Sequence, residues 1–409
     1  VAKGPRAARH YQRKDSPLRL MADRWRPAIR RDVKASLLHL GELVPRERSV
    51  RYARAGDWAA LKAHINWLHF REVLKAPFSR IIKLRHVAAE HGVRKINGSF
   101  SQARRRVRFA KSAPAVPLLV GAGGGGEQPP TPVPPVLAVA HVLGYNNDAL
   151  QASASLANPD LASPRRTLDE TVSKALGDRF NFDIADSETQ DAIRAAQEEM
   201  IADLEAAARD AIDTIIRDGV AEGLDADEMV DDIRELIGLT DRQAQAVLNY
   251  ENMLHELDPA ALERQMRNVD YDAALEDAID SGVELSDVAI SRMVGDYLDN
   301  ALDARAEMIA QTESVRAVSD GLSDAYQQAV DRGVLPEGAV TRYWQIALDE
   351  KTCPVCESIP DMNPDGVGVG EPFQSIDGPM DDPPDPHPNC RCSVDYITDM
   401  GAVAAEEEE

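Results

Sequence analysis

Apolar positions in this chain recur mostly three and four residues apart, and only near the C-terminus does a short run of strand type appear. Trp58, Leu61, Ile65 and Leu68 form one helical stripe, and Asp57 before it has the carboxylate of an N-cap. Ile81, Leu84, Val87 and Ala88 form another, which predicts a helix over about residues 78–90. From about residue 168 to 333 the pattern is almost wholly helical. Ser187-Glu188-Thr189-Gln190 reads as a capping box, in which the hydroxyl takes an orphan backbone N–H and the glutamine reaches back. The stripe that follows, Ile193, Met200, Leu204, Ala208, Ile212 and Ile215, is flanked by acidic faces and must pack on something. Asp225 opens the next helix, with Met229, Val230, Ile233 and Leu236 apolar and Gly238 as its stop. Thr240-Asp241-Arg242-Gln243 is a second capping box, opening a helix that runs toward His255. Ser286 caps a pattern through Val288, Ile290, Met293, Tyr297, Leu302 and Ile309, and a separate last helix is predicted over residues 314–331, ending at Gly333. After Pro336, Tyr343 to Leu348 are of strand type, and the rest is rich in turns.

Charge divides the chain. The 409 residues carry a net charge of -23, but residues 1–115 balance at +20 and the remainder at -43. Arg24, Arg26, Arg30, Arg31 and Lys34 form one basic cluster, and Arg104, Arg105, Arg106 and Arg108 another. Between the halves, the nearly all-glycine run 121–126 and prolines at 129, 130, 132, 134 and 135 cannot enter a helix or sheet interior and read as a linker. Five per cent aromatic content means cores built of Ala, Leu, Ile, Val and Met. No apolar run is long enough to span a membrane, and none is of signal-peptide type, so no membrane contact and no export are expected.

All four cysteines fall between residues 353 and 392, which suits metal binding in a reducing cytoplasm better than a disulfide scaffold. They read Cys353-Pro354-Val355-Cys356 and then His387-Pro388-Asn389-Cys390-Arg391-Cys392. A tail so poor in apolar side chains needs another constraint, and a tetrahedral structural zinc site would supply it. The first pair presents two thiolates; His387, Cys390 and Cys392 offer three donors for the two remaining places. Strand alternation favours Cys390 with Cys392, whereas a tight turn brings His387 to Cys390, and both remain open. A redox pair would want its CxxC at a helix start beside a βαβ pattern, and the sequence here reads as irregular instead. No HExxH motif or His-based partner points to catalytic zinc.

Trp344, Asp349, the Cys353–Cys356 pair, Phe373, Gly378, Pro383-Pro384 and the His387 to Cys392 cluster resemble the C-terminal pattern of the phage Mu F-like, head morphogenesis family. So do Ile237-Gly238-Leu239-Thr240, Asn249-Tyr250, and Arg305 with Ile309-Ala310-Gln311-Thr312-Glu313, giving a likeness over roughly residues 165–395. The resemblance implies a non-enzymatic minor capsid protein of a tailed phage or prophage. Such a protein is portal-associated, aids virion assembly and DNA packaging, and resides in the capsid interior or portal vertex after assembly in the host cytoplasm. Some relatives carry a toxin or enzyme domain after this unit; only a short acidic tail follows here, so no passenger is expected. The acidic stretch from 361 to 385 departs from the pattern.

The fold class expected is mainly α: a helical body with a small C-terminal zinc-bound α+β module and a basic N-terminal helical segment. The divisions are 1–111 for the basic segment, 112–136 for the linker, 137–333 for the acidic body, 334–395 for the Cys/His module and 396–409 for a disordered acidic tail. Partners implied are the phage portal and other capsid proteins, with DNA, or the acidic body itself, facing the basic region. Two other classes compete: a zinc-containing enzyme, a nuclease or transferase, delivered with the virion, and a nucleic-acid-binding regulator. The second would want basic residues around the cysteines, where Asp349, Glu350, Asp361, Asp365, Asp381, Asp382 and Asp385 stand instead. The nearly all-glycine run 121–126 lacks the Gly-Lys-Ser/Thr of a phosphate loop. Gln311, Thr312 and Glu313 are expected on a helix, in polar contact with the module rather than in catalysis.

Overall fold

The structure, a computed structural model, describes residues 16–112, 180–347, 349 and 352–400, with residues 103–112 as helical backbone alone. The expected linker beyond its first residue, the arginine cluster's side chains at 104–108 and the tail from 401 lie outside that description. The protein is mainly helical. In chain order the helices are α1 (Pro17–His39), α2 (Arg46–Arg54), α3 (Trp58–His64), α4 (Trp67–Ser112), α5 (Ser187–Glu222), α6 (Ala226–Leu236), α7 (Asp241–Glu256), α8 (Asp272–Ser281) and α9 (Asp287–Asp331). Strand β1 (Val340–Gln345), helix α10 (Pro354–Met362), strands β2 (Phe373–Ser375) and β3 (Gly378–Met380), and strand β4 (Ser393–Thr398) follow.

Most of the predicted starts are where the caps put them. Asp57 accepts from the Ala60 N–H, Ser286 caps α9, and Asp225 with Glu228 and Thr240 with Gln243 close full capping boxes. Two serines were misleading. Ser187 is not the cap of α5: Asp186 accepts the Thr189 N–H, and Gln190 Nε2 donates to the Ile184 carbonyl. Ser314 opens no new helix; its hydroxyl donates back to the Ala310 carbonyl at 2.6 Å, so α9 runs unbroken through 45 residues. A hydroxyl that can cap can equally bond back within a helix. Likewise α4 continues through Pro77 for 46 residues, far beyond the predicted 78–90.

Helix α9 is the spine. Over its second half, residues facing every direction are buried, among them Ala310, Gln311, Ser314, Ala317, Val318, Gly321, Leu322, Ala325 and Tyr326. A helix apolar or small all round must be enclosed by neighbours, and α1, α4 and the C-terminal strands enclose it. The opposite charges of the two halves meet here. Arg26, Arg30 and Lys34, four residues apart on α1, pair with Glu307 at 3.1 Å, Asp303 at 2.9 Å and Asp299 at 2.8 Å, four apart on α9 in the reverse order. Arg46, Lys62 and Arg71 pair similarly with Asp231, Asp213 and Glu205. The basic segment thus lies on the acidic body through one continuous apolar core.

The C-terminal module holds two antiparallel pairs. In one, β1 and β4 run from Val340 opposite Thr398 to Gln345 opposite Ser393; in the other, β2 and β3 form a hairpin. Strand β1 starts three residues before the predicted run, and β4 continues past residue 395. Tyr396 stacks on Tyr326 of α9 with centroids 4.4 Å apart, and Lys95 of α4 reaches Asp395 at 2.5 Å. Among the described residues no helix is long and apolar enough to cross a membrane.

Gly321 tests the α4–α9 contact. A Cβ there would lie 2.1 Å from the Arg85 carbonyl oxygen and 3.0 Å from the Ala89 amide nitrogen. Helix propensity alone would make Gly321→Ala stabilising by about 1 kcal/mol. The backbone clash reverses the sign, and urea unfolding is expected to show a loss of about 1–3 kcal/mol.

Candidate metal centre

Cys353 is the N-cap of α10, its Sγ 3.4 Å from the Cys356 N–H, and Pro354 occupies the first helical position, where no N–H is needed. The CxxC therefore opens a helix, where irregular chain was expected. No βαβ unit accompanies it among the described residues, since both strand pairs are antiparallel. The first turn of α10 turns Cys356 inward, to 1% exposure. From the other side the chain passes His387 and turns at Asn389, which has the left-handed φ of 67°. It then delivers Cys390 and Cys392, just before β4 begins at Ser393, into the same space, both buried.

The structure groups Cys390 with Cys392, and it brings His387 to Cys356 rather than into one group with Cys390. Cys356 Sγ lies 3.5 Å from His387 Nε2 and 3.9 Å from Cys390 Sγ. Cys353, Cys356 and His387 have donor atoms all within 4.8 Å of one another, and so do Cys356, Cys390 and Cys392. Cys356 is common to both groups. Ligand bonds of about 2.0–2.3 Å to a tetrahedral ion imply donor–donor edges of about 3.3–3.8 Å, close to the two Cys356 contacts. All four thiols are free. The donor set and its spacing are compatible with a metal site.

The electrostatics favour a cation. Hydrogen bonds from the Cys356 and Cys392 thiols hold Cys390 far below the usual thiol range, at about 3. Those same contacts, with Cys390 foremost, push Cys356 up. Cys356 draws Cys392 down, but the Cys390 charge and burial outweigh it and leave Cys392 at about 12. Three crowded sulfurs thus share one negative charge. A divalent ion would relieve the repulsion that keeps the other two protonated. His387 Nδ1 lies 2.8 Å from the Pro388 carbonyl, a contact that places the N–H on Nδ1 and leaves Nε2 unprotonated, its lone pair facing the Cys356 thiol.

The surroundings hold this cluster against the spine. Gln311 Nε2 donates to the Cys390 carbonyl at 3.3 Å, and the Asn389 N–H donates to Thr312 Oγ1 at 2.8 Å. The helical position and polar contacts expected for the 310–313 segment are both present. Arg391 binds Asp349 at 2.6 Å, and buried Trp344 meets Phe373 edge-on at 5.4 Å. Sequence reading missed Arg342. Only 4% exposed, it reaches Asp382 at 2.6 Å and the Gly368 carbonyl at 2.8 Å, and it also bonds the Glu371 carbonyl. Asp382 also accepts from the Tyr396 hydroxyl at 3.2 Å. The unexplained acidic stretch therefore supplies the counter-ion of a buried arginine. The only signal was that Arg342 shares the inward face of a strand with Val340 and Trp344.

Residues 270–395 match the family model described as Phage Mu protein F like protein. The match covers under a third of the chain, and this segment is similar to that family. The matched span is narrower than the 165–395 likeness, so Arg305 to Glu313 and the whole cysteine cluster lie inside it and the 237–250 segment outside. No curated protein and no solved structure matches the chain. The structure nonetheless joins the two parts: Arg305, 3% exposed within the Mu F-like segment, donates to the Gly238 carbonyl at 2.7 Å.

Beside the centre, α9 and the 381–388 loop of the Mu F-like segment border a cleft of about 570 Å³, lined by Thr312, Arg316, Asp320, Asp382 and His387 together with Glu199 of α5. At its edge Glu313 is 7% exposed and faces Arg316 at 3.6 Å. Burial raises its carboxyl to about 7, and burial likewise raises Asp320 to about 6. A raised carboxyl binds its proton more tightly folded than unfolded. Its contribution is thus complete below about pH 4 and is lost as pH rises through about 7. Glu313→Gln removes that loss. Unfolding curves are expected to match the parent at pH 4 and to show the variant more stable by about 3 kcal/mol at pH 8.

Proposed function

We propose that this chain is a structural component of a tailed-phage head, seated at or beside the portal vertex, and that one zinc ion fixes the shape of its C-terminal module. The observation that carries the reading is the direct hydrogen bonding of the Mu F-like helix α9, through Gln311 and Thr312, to the loop bearing Cys390. Family signature and donor cluster are one structural unit. Bound zinc would supply positive charge and four-fold cross-linking. The chain's own residues would present and orient donors from Cys353, Cys356, His387, Cys390 and Cys392. Five protein donors compete for four places, which leaves no position for substrate and favours a structural role over an enzymatic one.

The full chain, purified reduced from cells grown with zinc, is expected to hold about one zinc per chain by mass spectrometry of metals. Chelation is expected to lower its melting temperature. In particles induced from a strain carrying the gene, the chain should co-purify with heads, and its deletion should reduce filled heads. Absence from purified particles would overturn the head assignment, and absence of metal would overturn the zinc assignment alone.

Contact with packaged DNA is a narrower part of the proposal. Much of the basic segment's charge is neutralised by the acidic body, but exposed Arg24, Arg31, Arg48, Arg51 and Lys83 have no ion-pair partner among the described residues. Backbone phosphates would meet these side chains without base recognition. Replacing Arg24 and Arg31 by serine should flatten the dependence of DNA affinity on salt by about two in the log–log slope. Retention of the full slope would exclude these two residues from the interface.

A further inference from the structure

We infer that the fourth corner of the metal site is shared by two interchangeable donors, Cys353 and His387, completing a fixed face made by Cys356, Cys390 and Cys392. The inference rests on the metal reading above and says how that site is built. Cys356, Cys390 and Cys392 are buried, whereas Cys353 and His387 are both partly exposed. The three buried sulfurs form one close group, and the two outer donors form the other, joined to the first only through Cys356. A four-coordinate ion on the buried face would have a single place left; Cys353 and His387 both lie beside Cys356, and either would complete the site by moving onto the ion.

Each outer donor is prepared for that place by a different local device. Cys353 Sγ receives the Cys356 N–H at the start of α10, which fixes its position at the helix N-cap. His387 has its Nδ1 engaged with the Pro388 carbonyl, which leaves Nε2 as the free donor 3.5 Å from Cys356 Sγ. Neither device depends on the other. The choice between them also has a consequence beyond the ion. His387 lies in the 381–388 wall of the cleft, while Cys353 lies at the start of α10. Ligation by His387 ties that wall to the ion, and ligation by Cys353 leaves it held by Arg342, Tyr396 and Thr312 through Asp382 and Asn389.

The test uses the full reduced chain titrated with Co(II) and with Zn(II), comparing the parent with Cys353→Ser, His387→Ala and the double variant. Each single variant is expected to bind one ion per chain with affinity lowered by no more than about tenfold, and the double variant by at least about a hundredfold. The sulfur-to-cobalt charge-transfer band of His387→Ala should reflect four thiolates and that of Cys353→Ser three. Hydrogen exchange across residues 381–388 should be faster in metal-loaded His387→Ala than in metal-loaded Cys353→Ser. Loss of stoichiometric binding in either single variant, with the parent still binding, would overturn the shared corner and leave the metal reading intact. A parent that binds no ion would overturn both.

Discussion

Helix α9 can be surrounded only because of what lies along it. Where α4 crosses, Gly321 lets the Arg85 backbone approach to a distance no side chain would permit. Where the 237–239 turn arrives, buried Arg305 meets the Gly238 carbonyl. Ion pairs along the α1 edge are partly exposed, and such pairs contribute little stability each. Their value is in registry: three cations and three carboxylates, each set spaced by one helical turn, match only when the helices run antiparallel in one alignment. Arg85 differs. It is 7% exposed and binds Asp324 through two nitrogens and Asp320 through a third, so its removal would strip Asp324 of this ion pair and leave Asp320 facing Arg316. Apolar burial closes the body, and charge decides how the strongly basic and strongly acidic parts of the chain align within it.

Legibility of the fold followed the range of the interaction responsible. Asp57, Asp225, Thr240 and Ser286 announce helices because a cap acts over three residues. Ser187 and Ser314 misled for the same reason: the hydroxyl's alternatives, one next to a better carboxylate cap and one bonding back to Ala310, differ by nothing in the local letters. The stripe from Ile193 to Ile215 correctly showed a buried face, but not what covers it. The basic segment's destination was similarly hidden, because a count of charge names a sign and no geometry.

At the candidate site, residue type and spacing picked out the five residues that the structure clusters, but could not rank them. The ambiguity was real in three dimensions, since the turn at Asn389 brings His387 and the alternating cysteines to Cys356 at once. What could not be read was the pairing of Arg342 with Asp382. The two are 40 residues apart, and Asp382 sits among aspartates that look uniformly solvated. Only the fold of the hairpin, tied to α10 by Asn363 through two bonds to Gln374, brings that one carboxylate beneath the strand.

The C-terminal tail, polar as its sequence is, has an apolar core of its own. Trp344, Ile359, Phe373, Val394 and Tyr396 form a small apolar core, and the module also leans on α9 and α4. Strand pairing fixes β4 to β1, and Asn363 fixes the hairpin to α10. Among the described residues the loop carrying His387, Cys390 and Cys392 has no backbone hydrogen bond to α10; it meets α10 through the Cys356 thiol, and its other hydrogen bonds go to α9, β1 and β4. An ion joining α10 to that loop would therefore reinforce a junction otherwise held by weak sulfur contacts. Its role would be to set the position of the acidic 381–388 wall relative to the spine, a local and adjustable constraint on a body already closed by burial.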